Sequence, residues 1–107
     1  MEPLLILTNV PDRAVAEKLA RALVEARAAA CVNILSAGHS IYRWRERVEQ
    51  AEEIPLLIKS TTANYAAVEG IARAQHPYDV PELVAIPITQ GLPAYLDWLA
   101  QETERHD

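Results

Sequence analysis

The stretch His76-Pro77-Tyr78-Asp79-Val80-Pro81-Glu82 places an imidazole, a phenol and two carboxylates within seven residues of a proline-stiffened segment. Imidazole is the commonest metal-binding side chain and Pro77 restricts the backbone beside it, so His76 is the candidate metal ligand. Asp79 and Glu82 would then be hard oxygen donors or supports around it. The competing reading is a rigid connector, with His76 favoured only by the field at a helix C-terminus. Cys31 is the single thiol. A thiolate suits Cu(I) or Zn, whereas its neighbours Ala30 and Val32 suit a small buried hydrophobe. His39, in a turn, and His106, in the tail, have no neighbouring donor at ligand spacing and read as solvated.

Lys59 ends an apolar run, where an ammonium needs an anion such as Glu82 or Glu49 unless it snorkels from a sheet edge. Tyr42 and Trp44 recur at alternate positions, and Tyr95 and Trp98 lie three apart. Both pairs suit a ligand wall or the anchors of a core or interface. Arg43, Arg45 and Arg47 make a basic strand face that is short for nucleic-acid binding. There is no Cys-x-x-Cys, no His-Glu-x-x-His, no Gly-x-Ser-x-Gly and no glycine loop for phosphate, so no motif supports an enzyme. A metal site would have to be assembled from distant segments or from two chains.

These residues must be positioned by short elements. Leu4 to Leu7 reads as a buried strand, followed by a loop in which Asp12 caps a helix with the stripe Val15, Leu19, Ala22, Leu23 and Ala26. Cys31 to Leu35 is a second strand, closed by Ser36-Ala37-Gly38. From Ser40 onward Tyr42, Trp44 and Val48 face one way and Ile41, Arg43, Arg45 and Arg47 the other. Gln50 to Glu53 is polar enough to turn, and Leu56 to Ser60 forms another strand. Thr61 or Thr62 caps a helix carrying Tyr65, Val68, Ile71 and Ala72, which Pro77 ends near Gln75 or His76. Leu83 to Ile88 is the last strand, and Pro93 opens a third helix with Leu92, Tyr95, Leu96 and Leu99 on one side. Gln101 to Asp107 is expected to fray. Two strand-helix-strand halves with an added hairpin strand and a C-terminal helix predict one α+β domain over 1–107. Its type is a ferredoxin-like sandwich, with helices on one face of an antiparallel sheet.

The 107 residues, half of them apolar, bury about two-thirds of their unfolded surface as one domain. That leaves little room for an enclosed site and an apolar sheet face to be covered by another subunit. A net charge of −5 favours a cation as partner over nucleic acid or an anionic membrane. A lone cysteine and a short N-terminal apolar run without basic residues suggest a cytoplasmic protein.

Taken together, Val10-Pro11-Asp12, Ala29-Ala30-Cys31-Val32-Asn33-Ile34, Ser40-Ile41-Tyr42-Arg43-Trp44, Ile58-Lys59-Ser60-Thr61, His76-Pro77-Tyr78, Val80-Pro81-Glu82 and Tyr95-Leu96-Asp97-Trp98-Leu99 resemble the CutA divalent-cation tolerance family. The resemblance implies a ferredoxin-like subunit, similar to the PII signalling proteins, in a tight homotrimer associated with copper and other divalent cations. Three departures stand out. Glu46 occupies a position where the family commonly has glycine, and Thr8 and Gln75 stand where some members carry cysteine and histidine. The expected function is a homotrimeric, metal-associated protein of divalent-cation tolerance with its site in an inter-subunit cleft. His76 and Cys31 are its candidate ligands, Lys59 and Glu82 a charge pair, and Tyr42, Trp44, Tyr78 and Trp98 the aromatic surroundings. A PII-like regulatory or scaffold protein that binds a small anionic metabolite or a partner protein is the alternative.

Overall fold

Residue alternation along one long strand organises the domain. In the computed structural model, which describes residues 2–104, the elements are β1 (Pro3–Val10), α1 (Arg13–Glu25), β2 (Cys31–Ile34), β3 (Gly38–Trp44), β4 (Arg47–Thr61), a 3-10 turn (Thr62–Asn64), α2 (Tyr65–Gln75), β5 (Val84–Pro87) and α3 (Pro93–Glu102). All strand pairs are antiparallel. The sheet runs β2-β4-β1-β5, and β3 pairs with the other end of β4.

Along β1, Leu4, Ile6, Thr8 and Val10 are buried while the residues between them are half-buried, and Ile54, Leu56, Ile58 and Ser60 repeat the pattern on β4. The register pairs Ile6 with Ile58 and Val10 with Ile54, so these side chains share the face that α1 and α2 cover. Leu19 and Leu23 from α1 and Val68 and Ala72 from α2 complete that core. Asp12 caps α1 as expected, its carboxylate accepting from the Val15 amide at 2.9 Å. At the other end the amides of Arg27 and Ala28 bond back to the carbonyls of Val24 and Leu23. That Schellman closure puts Arg27 at φ 59. The Arg27 guanidinium also reaches the carbonyls of Gln101 and Glu102, at the end of α3.

The third helix lies against the second face of the sheet. Leu99 is fully buried yet stands apart from the α1–α2 core, and Tyr95 comes near Cys31, whose partner Lys59 faces away from that core. Leu5, Leu7 and Leu57 on this face are only half-buried, and Val84 and Ile86 on β5 are exposed. Pro87 is tolerated because β5 is an edge strand.

Several expectations need correction. The turn falls at Arg45-Glu46, not at Gln50 to Glu53, and β4 runs unbroken through that polar segment. Trp44 pairs with Arg47, and the central residues have φ 51 and 68, the left-handed pair of a type I′ hairpin. Arg and Glu carry no turn signal, which hid it. The turn also reverses the expected facing, because Val48 opposes Arg43 and so shares the side of Ile41, while Tyr42 and Trp44 share theirs with Glu49 and Arg47. Neither Thr61 nor Thr62 caps α2 with its side chain. Asn64 instead donates to the Thr61 hydroxyl at 2.9 Å and to the Thr103 carbonyl at 3.0 Å, tying α2 to the end of α3. The tail expected to fray from Gln101 is structured through a buried Thr103; Arg105 to Asp107, including His106, lie outside the described residues.

A non-glycine residue in the left-handed region carries strain of about 1–2 kcal/mol. Glu46→Gly therefore raises stability by about 0.5–1 kcal/mol, the relieved strain less the added entropy of the unfolded chain. Thermal unfolding measures it. A turn at residues 50–53 would instead leave glycine inside a strand and lower the melting temperature.

Candidate functional site

Where the β3–β4 hairpin leaves the sheet, its inner side and the loop 76–82 enclose a cleft of about 870 Å³. Asn9, Ser40, Ile41, Tyr42, Trp44, Ala51, Glu53, Pro77, Tyr78, Asp79, Val80 and Glu82 line it. Alternation on β3 aims Ser40, Tyr42 and Trp44 to one side, and Pro77 stops α2 so that the chain turns across the end of β1.

The loop is held by the end of β1. His76 is 8% exposed, and its Nε2 lies 2.7 Å from the Asn9 carbonyl, while the Tyr78 amide donates to Nδ1 at 3.3 Å. A carbonyl only accepts, so Nε2 carries the proton and Nδ1 offers its lone pair to the amide. Both nitrogens are engaged. His76 is therefore a buried pin between β1 and the loop, with each ring nitrogen hydrogen-bonded to the backbone. At the far end of the loop the Thr8 hydroxyl donates to the Glu82 carbonyl at 2.6 Å, and Asn9 Nδ2 donates to Glu82 Oε1 at 2.8 Å. Thr8 thus works as a buried hydrogen-bond donor where a cysteine would have been a metal donor.

Tyr78 bridges the loop to β4, its hydroxyl donating to Glu53 Oε2 at 3.0 Å. Burial, reinforced by the bond to Glu53 and by that carboxylate's charge, pushes the Tyr78 phenol up to about 12. The His76 and Tyr78 rings lie 4.6 Å apart and tilted by 55°.

Of the residues singled out in the sequence, Tyr42, Trp44, Tyr78 and Glu82 come together in the cleft. Lys59 does not join them, for its Nζ bonds to Asn33 Oδ1 across the β2–β4 ladder. The expected Lys59–Glu82 pair is thus replaced by two separate amide contacts, Asn33 to Lys59 and Asn9 to Glu82. Cys31 is half-buried opposite Lys59, and Trp98 packs on Tyr95 at 5.5 Å on α3, both outside the cleft lining. His39 is exposed, with Nε2 3.9 Å from Glu52 Oε2. Asn9 and Glu53 are the residues that sequence reasoning missed. Asn9 looked like a turn former and Glu53 like part of a polar turn, and only the strand pairing brings both to one place.

No group of three or more His, Cys, Asp or Glu able to hold a metal ion occurs among the described residues. Among the described residues the carboxylates of the cleft are Glu53, Asp79 and Glu82, and no Lys, Arg or His side chain lines it. The described residues of one chain therefore form no closed metal centre. The donors in the cleft are oxygens, which suit hard divalent cations better than Cu(I).

Because the Tyr78 pKa stands above the unfolded value of 10.0, its contribution to stability is whole below pH 10 and declines as pH rises towards about 12. An ultraviolet titration of tyrosinate, compared with Tyr78→Phe, measures this. The component missing from the variant is expected to titrate near pH 12; a missing component at the ordinary phenol value would break the Tyr78–Glu53 link.

With this geometry in place, comparison with known proteins is specific. Residues 4–102 match the family model described as CutA1 divalent ion tolerance protein. The divalent-cation tolerance protein CutA of Thermus thermophilus is 48% identical over 98 residues, covering 92% of this chain and 95% of that protein. Among solved structures, CutA1 of Shewanella sp. SIB1 is similar with a TM-score of 0.92 and 45% identity, covering 95% of each chain. CutA1 of Oryza sativa reaches a TM-score of 0.95 at 33% identity, covering 99% of this chain and 97% of that one. Helices on an antiparallel ferredoxin-like sheet, the long hairpin and a family match spanning nearly the whole sequence lead to one conclusion: the chain belongs to the CutA1 divalent ion tolerance family.

Proposed function

We propose that this chain acts in divalent-cation tolerance as a homotrimer, with the cation taken at the cleft beside the β3–β4 arm and a second copy completing the site. The observation that carries the reading is the arm. Every residue from Ile41 to Gln50 is exposed, including Ile41 at 71% and Val48 at 66%, and β5 offers Val84 and Ile86 at a sheet edge. Bare apolar side chains beside open backbone edges favour association with another chain. An arm and an edge on different parts of one subunit would pair head to tail, and such a contact forms a ring where the rotation between copies closes. Three subunits is what the family resemblance implies.

The cleft's acidic lining supports a cation, and the chain's net charge of −5 agrees. Asp79 and the free oxygens of Glu53 and Glu82 would supply hard donors, with water or a second copy filling the remaining positions. Copper is the cation that the resemblance implies, and binding it through oxygens alone would be weak. An anionic metabolite fits less well, since Lys59, a cation that would favour it, bonds to Asn33 outside the lining. The half-exposed, unpaired Cys31 suits a reducing compartment, which supports a cytoplasmic location as part of this proposal.

Isothermal titration with Zn²⁺ and Cu²⁺ tests the cation site. Asp79→Asn combined with Glu82→Gln is expected to weaken binding by about tenfold or more, while His76→Ala loses stability rather than a ligand. Unchanged affinity in the double variant would remove the cleft from the site.

A further inference from the structure

The cleft is built for something larger than an ion. Its volume of about 870 Å³ lies in the range of small-molecule sites, whereas a coordinated cation needs oxygens only about 2–2.6 Å away. Three aromatic rings wall it. Tyr42 and Trp44 come from the arm and Tyr78 from the loop, and each is between 37% and 43% exposed. At its inner side Glu53 is only 9% exposed. Its Oε2 is held by the Tyr78 hydroxyl, and Oε1 accepts no side-chain hydrogen bond among the described residues. Trp44 already attracts a cation, since the Arg45 guanidinium stands 5.4 Å from its ring centroid.

Aromatic faces attract cations through their negative quadrupoles, and a buried carboxylate with one free oxygen is a directed acceptor for an ammonium. From this combination we infer that the cleft takes an organic ammonium ion carrying an apolar body, its nitrogen at Glu53 and its body against Tyr42 and Trp44. The inference rests on the reading of the cleft as the cation site and names a second class of cation for it. A bare metal ion would leave the aromatic walls unused, and an anion would meet three carboxylates. A neutral molecule of the same shape would gain the walls but not Glu53.

The test uses the full chain with Trp98→Phe, so that Trp44 is the only tryptophan and its emission reports on the cleft. Phenethylammonium is the probe and 2-phenylethanol its neutral isostere. The ammonium is expected to change Trp44 emission saturably and to bind about tenfold or more tightly than the alcohol, with that advantage lost in Glu53→Gln. Equal binding of the two, or an ammonium affinity unchanged by Glu53→Gln, overturns the inference. Zn²⁺ titrated into the same protein separates the two readings. Zinc binding without ammonium binding overturns this inference and leaves the metal reading standing; ammonium binding without zinc binding supports this inference and overturns the metal reading. Absence of both overturns both.

Discussion

Strand β4 is the member on which the rest of the structure depends. Its 15 residues, at about 3.3 Å each, run the length of a molecule 44 Å long and 23 Å across its shortest axis. The C-terminal part lies between β1 and β2 and alternates buried with half-buried residues. Its N-terminal part has only β3 beside it and is exposed on both faces from Arg47 to Gln50. A two-stranded ribbon is marginal in water by itself. The hairpin persists as a continuation of the sheet, and its apolar side chains are left for a second surface.

The same strand sets the chemistry of the cleft. Glu53 sits where β4 passes from the exposed arm into the packed sheet, which explains why a carboxylate there is buried yet still opens on the cleft. The loop 76–82 is clamped over it by Thr8 and Asn9 of β1 and by the Tyr78–Glu53 bond. With the imidazole of His76 spent on the backbone, the remaining donors are oxygens and aromatic faces. In the proposed reading, a cation would be held by charge and π-surface rather than by soft ligands.

Much of this was legible in the sequence because burial repeats with a period. The α1 stripe, the Asp12 cap, the Pro77 stop and the Pro93 start follow from local chemistry, and each is present. The Arg45-Glu46 turn was not legible, since its residues pay for left-handed backbone that glycine or asparagine would adopt freely. Tyr42, Trp44, Tyr78 and Glu82 could be named as one site, yet Glu53 and Asn9 could not. Their roles depend on register between strands far apart in the chain, and no local pattern encodes that. Lys59 misled for the same reason: its partner, Asn33, is set by the β2–β4 pairing.

One chain leaves its arm and its second sheet face unfinished, and in the proposed trimer further copies complete them. Sedimentation equilibrium of the wild-type protein at micromolar concentration tests this most directly. The account predicts a mass three times that of the 11.9 kDa chain. A species at 11.9 kDa would contradict it, because a stable monomer would then carry the exposed Ile41, Val48, Val84 and Ile86 with nothing to cover them.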